Sequence, residues 1–155
     1  DYMARLAYDL GDIPYRPDAG MLGIHTPSRS GSSARNVFWA YAVHGWGGAR
    51  TIGAKVKKVE DLVMAVDADI YVLFHDHTQA VHRINQLVPS HRKSRDGIRY
   101  LIPHRKILVN TGAFLRYEGY VARKGYVPQD LGTPRVRCEI KHSRDIEYKD
   151  LHCSV

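Results

Sequence analysis

Two unbroken apolar runs, Val37-Phe38-Trp39-Ala40-Tyr41-Ala42-Val43 and Ile70-Tyr71-Val72-Leu73-Phe74, each stop at a histidine. Runs of this length without polar alternation suit strands covered on both faces. Between them Val56, Val59, Leu62, Val63 and Val66 recur at helical spacing, with Lys57, Lys58, Glu60 and Asp61 on the other face. That pattern predicts an amphipathic helix from about Lys55. Strand, helix, strand is the order of a right-handed βαβ crossover with parallel strands. Such a unit sends His44 and His75-Asp76-His77 to one sheet edge, where ligands bind in open α/β sheets.

Beyond Thr78 the pattern turns antiparallel. Residues 80–88 and 98–102 flank Asp96-Gly97, a hairpin signal, and residues 106–109 read as another short strand. A helix is expected over residues 115–124, then a loop through Gly125, Pro128, Gly132 and Pro134. Residues 136–140 and 145–151 read as a closing hairpin. The low-complexity stretch Ser28-Arg29-Ser30-Gly31-Ser32-Ser33 reads as a flexible loop. Phe38, Trp39 and Tyr41 are expected in the core, and His25, His82, His104 and His142 at the surface or in turns.

At 155 residues the chain is long enough for one sizeable core, so a single domain spanning 1–155 is expected. It opens at Asp1 directly into an amphipathic run, as the C-terminal portion of a larger domain would. No apolar run has the length of a membrane span and no export signal is visible. Two cysteines, Cys138 and Cys153, have neither metal-ligand spacing nor the makings of a disulfide framework. A reducing, cytoplasmic compartment is the expectation. The net charge of +7 favours polyanionic partners. Basic residues crowd the stretch from His91 to Lys106, and Arg92, Lys93, Arg95 and Arg105 are the candidates for contact with substrate phosphate or nucleic acid.

His75 and His77 are separated by one residue. If the extended backbone continues past Phe74, both side chains project to the same side. Neutral imidazoles suit zinc, manganese, iron and nickel, and His44 would join them from the neighbouring strand end.

The run Tyr41-Ala42-Val43-His44-Gly45-Trp46-Gly47-Gly48, the run ending Leu73-Phe74-His75-Asp76-His77, and Asn110-Thr111-Gly112-Ala113 resemble the later motifs of calcineurin-like metallophosphoesterases, above all phage and prophage members. The resemblance covers roughly residues 36–140, including Gly125-Tyr126-Val127-Pro128. It implies the C-terminal half of a four-layer αββα sandwich, here a βαβ unit followed by mainly antiparallel strands. It implies two divalent metal ions, with His44 and His75 on one and His77 on the other, and hydrolysis of a phosphoester or nucleic-acid phosphate. Phe74 stands where the family has glycine, Asp76 where it has a small or polar residue, and Ala113 where it has serine. The early motifs that supply carboxylate and asparagine ligands are not found before His44, and Asp150-Leu151-His152 spells Asp-x-His at the wrong end of the chain. The chain alone is therefore expected to be a weak metal binder, its missing ligands lying upstream or on another chain. The other readings are a catalytically degenerate binding protein of a phage-derived or multi-subunit assembly, and a basic nucleic-acid-binding module.

Overall fold

A computed structural model describes residues 2–11, 14–26, 36–93, 95–114, 116–143 and 146–155. The predicted strand, helix, strand order with parallel strands is present. Strand β2 (Asn36–Val43) leads through helix α2 (Ile52–Ala65) to strand β3 (Ile70–Leu73), and Ala40 to Val43 pair in parallel with Ile70 to Leu73. Thr51 caps α2, its hydroxyl accepting from the Ala54 N–H at 3.3 Å. The helix ends at Val66, whose backbone is extended.

The sheet has five strands in the order β1-β2-β3-β5-β4, with β1 (Ala19–Thr26) antiparallel to β2, and β4 (Ala80–Lys93) antiparallel to β5 (Arg99–Asn110). The 98–102 and 106–109 stretches belong to a single strand, β5. Pro103 does not break it because β3 covers only Ile107 to Asn110, leaving β5 with β4 alone as a ladder partner at Pro103. Strand β1 carries two glycines and no apolar alternation, which hid it in the sequence. The flexible loop expected at residues 28–33 lies outside the described residues.

The closing hairpin is longer than expected, with β6 (Arg135–Ser143) antiparallel to β7 (Ile146–Ser154); Arg144 and Asp145 lie outside the described residues. This two-stranded sheet covers one face of the larger one. Phe38, Ala40, Ile70, Ile107 and Val109 pack there with Leu151, and Val136, Cys138, Ile140 and Cys153 join them. The other face receives α2, where Val59 meets Ala68, Tyr71, Leu73 and Leu108. The described residues thus form an α/β arrangement of helix, mixed sheet and antiparallel ribbon. A further helix, α1 (Tyr2–Asp9), precedes it.

The helix expected over residues 115–124 is reduced to one turn, α3 (Tyr120–Arg123). Gly119 enters it at φ 55° and Gly125 leaves it at φ 69°, so left-handed glycines bound it on both sides. Leu115 lies outside the described residues. Trp39 is also corrected: 46% exposed, it is not a core residue but lies over Gly23 of β1. No described helix is long and apolar enough to cross a membrane.

Candidate metal centre

The parallel pairing of β2, β3 and the last four residues of β5 brings three strand ends to one edge. The backbone carries the sheet slightly past the strands, the Phe74 N–H donating to the Val43 carbonyl at 3.2 Å and the Thr111 N–H to the Leu73 carbonyl at 3.1 Å. The His44 N–H donates to the Asp18 carbonyl at 3.3 Å, so the segment before β1 holds that strand end as well.

Here His44 and His75 meet. His44 Nε2 lies 3.1 Å from His75 Nδ1, with the rings edge to face and their centroids 5.0 Å apart. Two nitrogens bound to one ion at about 2.1 Å stand about 3.0 Å apart at right angles and about 3.4 Å apart in a tetrahedron. The observed spacing falls between these values, so the distance is compatible with a shared ion. The same spacing is that of an N–H···N hydrogen bond, with one imidazole donating and the other accepting. His77 stands off, its ring centroid 6.2 Å from that of His75 and 6.4 Å from that of Tyr126. The three imidazoles do not place one nitrogen each within 4.8 Å of one another. His77 thus stands apart from the His44–His75 pair.

The route by which His75 and His77 arrive differs from the expectation. The backbone is not extended there: His75 has φ 73° and His77 φ 51°, the two non-glycine residues with positive φ among those described. The Asp76 N–H returns to the Phe74 carbonyl at 2.9 Å, closing a γ-turn over His75. Side chains with a Cβ enter this region at a cost of about 1–2 kcal/mol each, and such outliers gather at functional sites. Two in one loop, both histidines, mark it out.

Glycine provides the space around the pair. A Cβ on Gly47 would come within 3.3 Å of His75 Nε2, so the bare backbone leaves that nitrogen room. At Gly45, φ is 85° and a Cβ would stand 2.7 Å from Leu73 Cδ1 and 2.9 Å from the Phe74 carbonyl oxygen. Gly45→Ala is expected to destabilise the fold by about 1–3 kcal/mol and to spread the His44–His75 contact, measurable as a shift of both imidazole resonances by NMR. Phe74 turns outward and is 41% exposed, so its bulk does not enter the core.

Asp76 faces inward. Its carboxylate is buried, with Oδ1 accepting from Lys58 Nζ at 2.8 Å and Oδ2 buried without a partner. Asn110 Oδ1, at the end of β5, is likewise buried and unpartnered. Among the described residues no carboxylate is hydrogen-bonded or ion-paired to His44, His75 or His77.

The basic candidates lie elsewhere. Strand β5 runs away from the hairpin turn toward this edge, so Arg99 and Asn110 are about 36 Å apart along the strand. Arg92 and Lys93, at the far end of β4, and the exposed Arg95 in the turn are therefore remote from the imidazoles. Arg105 is not free: its guanidinium donates to Asp150 Oδ1 at 3.3 Å. Lys106 is 1% exposed and bound to Asp67 and to the Ala68 carbonyl, which removes it from any phosphate. His104 is a structural histidine, its Nε2 2.8 Å from the buried Asp69.

The Asp150-x-His152 match seen in the sequence gains a third member in the fold. Glu139, Asp150 and His152 bring one donor atom each within 4.8 Å of one another on the β6–β7 ribbon. Lys141, Arg105 and His152 already engage Asp150, and Arg137 engages Glu139. With cations in place on both carboxylates, the cluster is an ion-pair network rather than a metal site. The hydrogen bond from Lys141 is the main cause holding the Asp150 carboxyl down at about 2. A depressed carboxyl stabilises above its unfolded value near 4 and loses that contribution as pH falls toward 2. The difference in stability between the wild type and Asp150→Asn is thus expected to be about 1 kcal/mol at neutral pH after screening and to vanish between pH ~4 and ~2, as read by urea unfolding across pH.

No protein-family model, no curated protein and no solved structure matches this chain.

Proposed function

We propose that this chain carries the histidine half of a dinuclear metal centre in a phosphoesterase, with His44 and His75 binding one ion and His77 the other. The observation that supports this reading is the His44–His75 contact at 3.1 Å, made by a loop that accepts positive φ at both of its histidines. Bound there, two divalent ions of manganese, iron, zinc or nickel would polarise a phosphoryl group and offset the charge that develops on attack. The imidazoles supply neutral donors, Gly47 keeps His75 Nε2 accessible, and Tyr126 flanks His77. On the resemblance to calcineurin-like enzymes, this α/β unit would correspond to the C-terminal half of their αββα sandwich, and the carboxylate ligands would come from a segment upstream or from another chain.

The position of the basic hairpin bears on the substrate. At about 36 Å along β5, the end carrying Arg92, Lys93 and Arg95 is beyond the reach of a small phosphoester held at the imidazoles. If that end contacts substrate, the substrate must be a polymer, and a nucleic acid is the class favoured. Manganese-dependent hydrolysis of bis-p-nitrophenyl phosphate is expected to be slight with this chain alone. A robust rate from the 155 residues by themselves, lost in His77→Ala, would overturn the division of ligands.

The inward turn of Asp76 favours a second reading, a binding protein of this fold that has lost catalysis. Metal analysis of the protein completed with its carboxylate-bearing portion separates the two: two ions support the enzyme, none the degenerate form. A basic nucleic-acid module would instead show affinity that falls steeply with salt and ignores chelator.

A further inference from the structure

We infer that Lys58 is a positioning residue of the histidine centre, tying together the two loops that carry His44 and His75. The inference rests on the reading of these imidazoles as a metal centre. Lys58 lies on α2 and is 8% exposed. Its ammonium donates to the Trp46 carbonyl at 2.5 Å, two residues after His44, and to Asp76 Oδ1 at 2.8 Å, between His75 and His77. The same ammonium stands 5.7 Å from the centroid of the Trp46 ring. One helical turn earlier, Lys55 donates to the Asp76 carbonyl at 2.9 Å and to the buried Thr78 hydroxyl at 2.5 Å. Two lysines thus draw both loops onto one helix.

The energetics favour a positioning role over simple stabilisation. A buried ion pair is commonly no more stabilising than apolar residues of the same volume, because both charges lose their water. Here the pair is also incompletely satisfied, Asp76 Oδ2 having no partner. What the pair does hold is a backbone that two L-residues adopt at a cost, flanking Asp76 on both sides. Partners hydrogen-bonded directly to metal ligands are worth about tenfold to a hundredfold in metal affinity, and Lys58, which acts through the Trp46 carbonyl and Asp76, is assigned the lower end of that range. The sequence showed Lys58 only as one of the polar residues of an amphipathic helix.

The test replaces both charges together, Lys58→Met with Asp76→Leu, so that no uncompensated ion is left in the interior. Co(II) titration followed by d–d absorption reports affinity and coordination geometry, and circular dichroism with urea unfolding reports the fold. Wild type should bind Co(II), and His75→Ala should lose it. The folded double variant should bind about tenfold more weakly, with displaced bands. Wild-type affinity and spectrum in the folded double variant would overturn the role of Lys58. No Co(II) binding by the wild type, or unchanged binding in His75→Ala, would overturn the centre itself and the inference with it. Should the apolar pair fail to fold, Lys58→Gln with Asp76→Asn removes the same charges while keeping polar atoms, and its Co(II) affinity decides between the same two results.

Discussion

Asp69→Ala is expected to lower the unfolding free energy by about 3–5 kcal/mol. Asp69 is 2% exposed at the start of β3 and holds three elements at once. Its carboxylate accepts from the Trp39 N–H of β2 at 2.8 Å, and contacts His104 of β5 at 2.8 Å and Lys149 of β7 at 2.6 Å. Burial pushes its pKa up, but the bonds from His104, Lys149 and the Trp39 N–H outweigh that and leave it below the usual carboxylate value. Its stabilisation is therefore complete above about pH 4 and declines as the solution becomes more acidic. Removing the carboxylate orphans a backbone N–H and leaves the Lys149 ammonium beside the Phe38 ring without its counter-ion. Against a total of about 5–15 kcal/mol for a domain, this is a large loss. Urea unfolding at pH 7 measures it; a change below about 1 kcal/mol would show that the carboxylate does not join the layers.

Gly112→Ala is expected to displace the closing segment and to cost about 2–3 kcal/mol. A Cβ at Gly112 would stand 2.1 Å from the Gly132 carbonyl oxygen, and a backbone atom cannot rotate aside. The contact is tight because Ala113 bridges Leu131 and the Gly132 N–H donates to the Ala113 carbonyl at 3.0 Å. Pushing residue 132 outward moves the chain that carries Tyr126, the neighbour of His77. The His77 ring resonances should therefore shift while those of His44 and His75 hold. Equal shifts at all three histidines would mean that the closing segment supports the whole edge rather than the outlying ligand.

The parts of this fold that were legible in the sequence were those written in apolar periodicity. The runs ending at His44 and His75 and the helix between them have strong patterns because β2, β3 and α2 meet across one layer. Strand β1 was illegible, since its glycines reveal a strand only through the register with β2. The helix at residues 115–124 was overestimated because composition favoured it while Gly119 limited it to a turn. In the candidate site, the convergence of His44 and His75 followed from parallel pairing, but their means of convergence did not. The loop that holds His75 and His77 at positive φ is met by Lys58 and Lys55 reaching across from α2, contacts of 18 to 23 residues in separation. A run of basic residues likewise says nothing of which side chains are already engaged; Lys106 and Arg105 were lost to Asp67 and Asp150 only when strands met.

The most direct test of the centre is calorimetric titration of Zn(II) into wild type, His75→Ala and the control His82→Ala, whose histidine is exposed on β4. If His44 and His75 share an ion, His75→Ala weakens Zn(II) binding at least about tenfold while His82→Ala matches the wild type. Equal affinities in all three proteins would contradict the account.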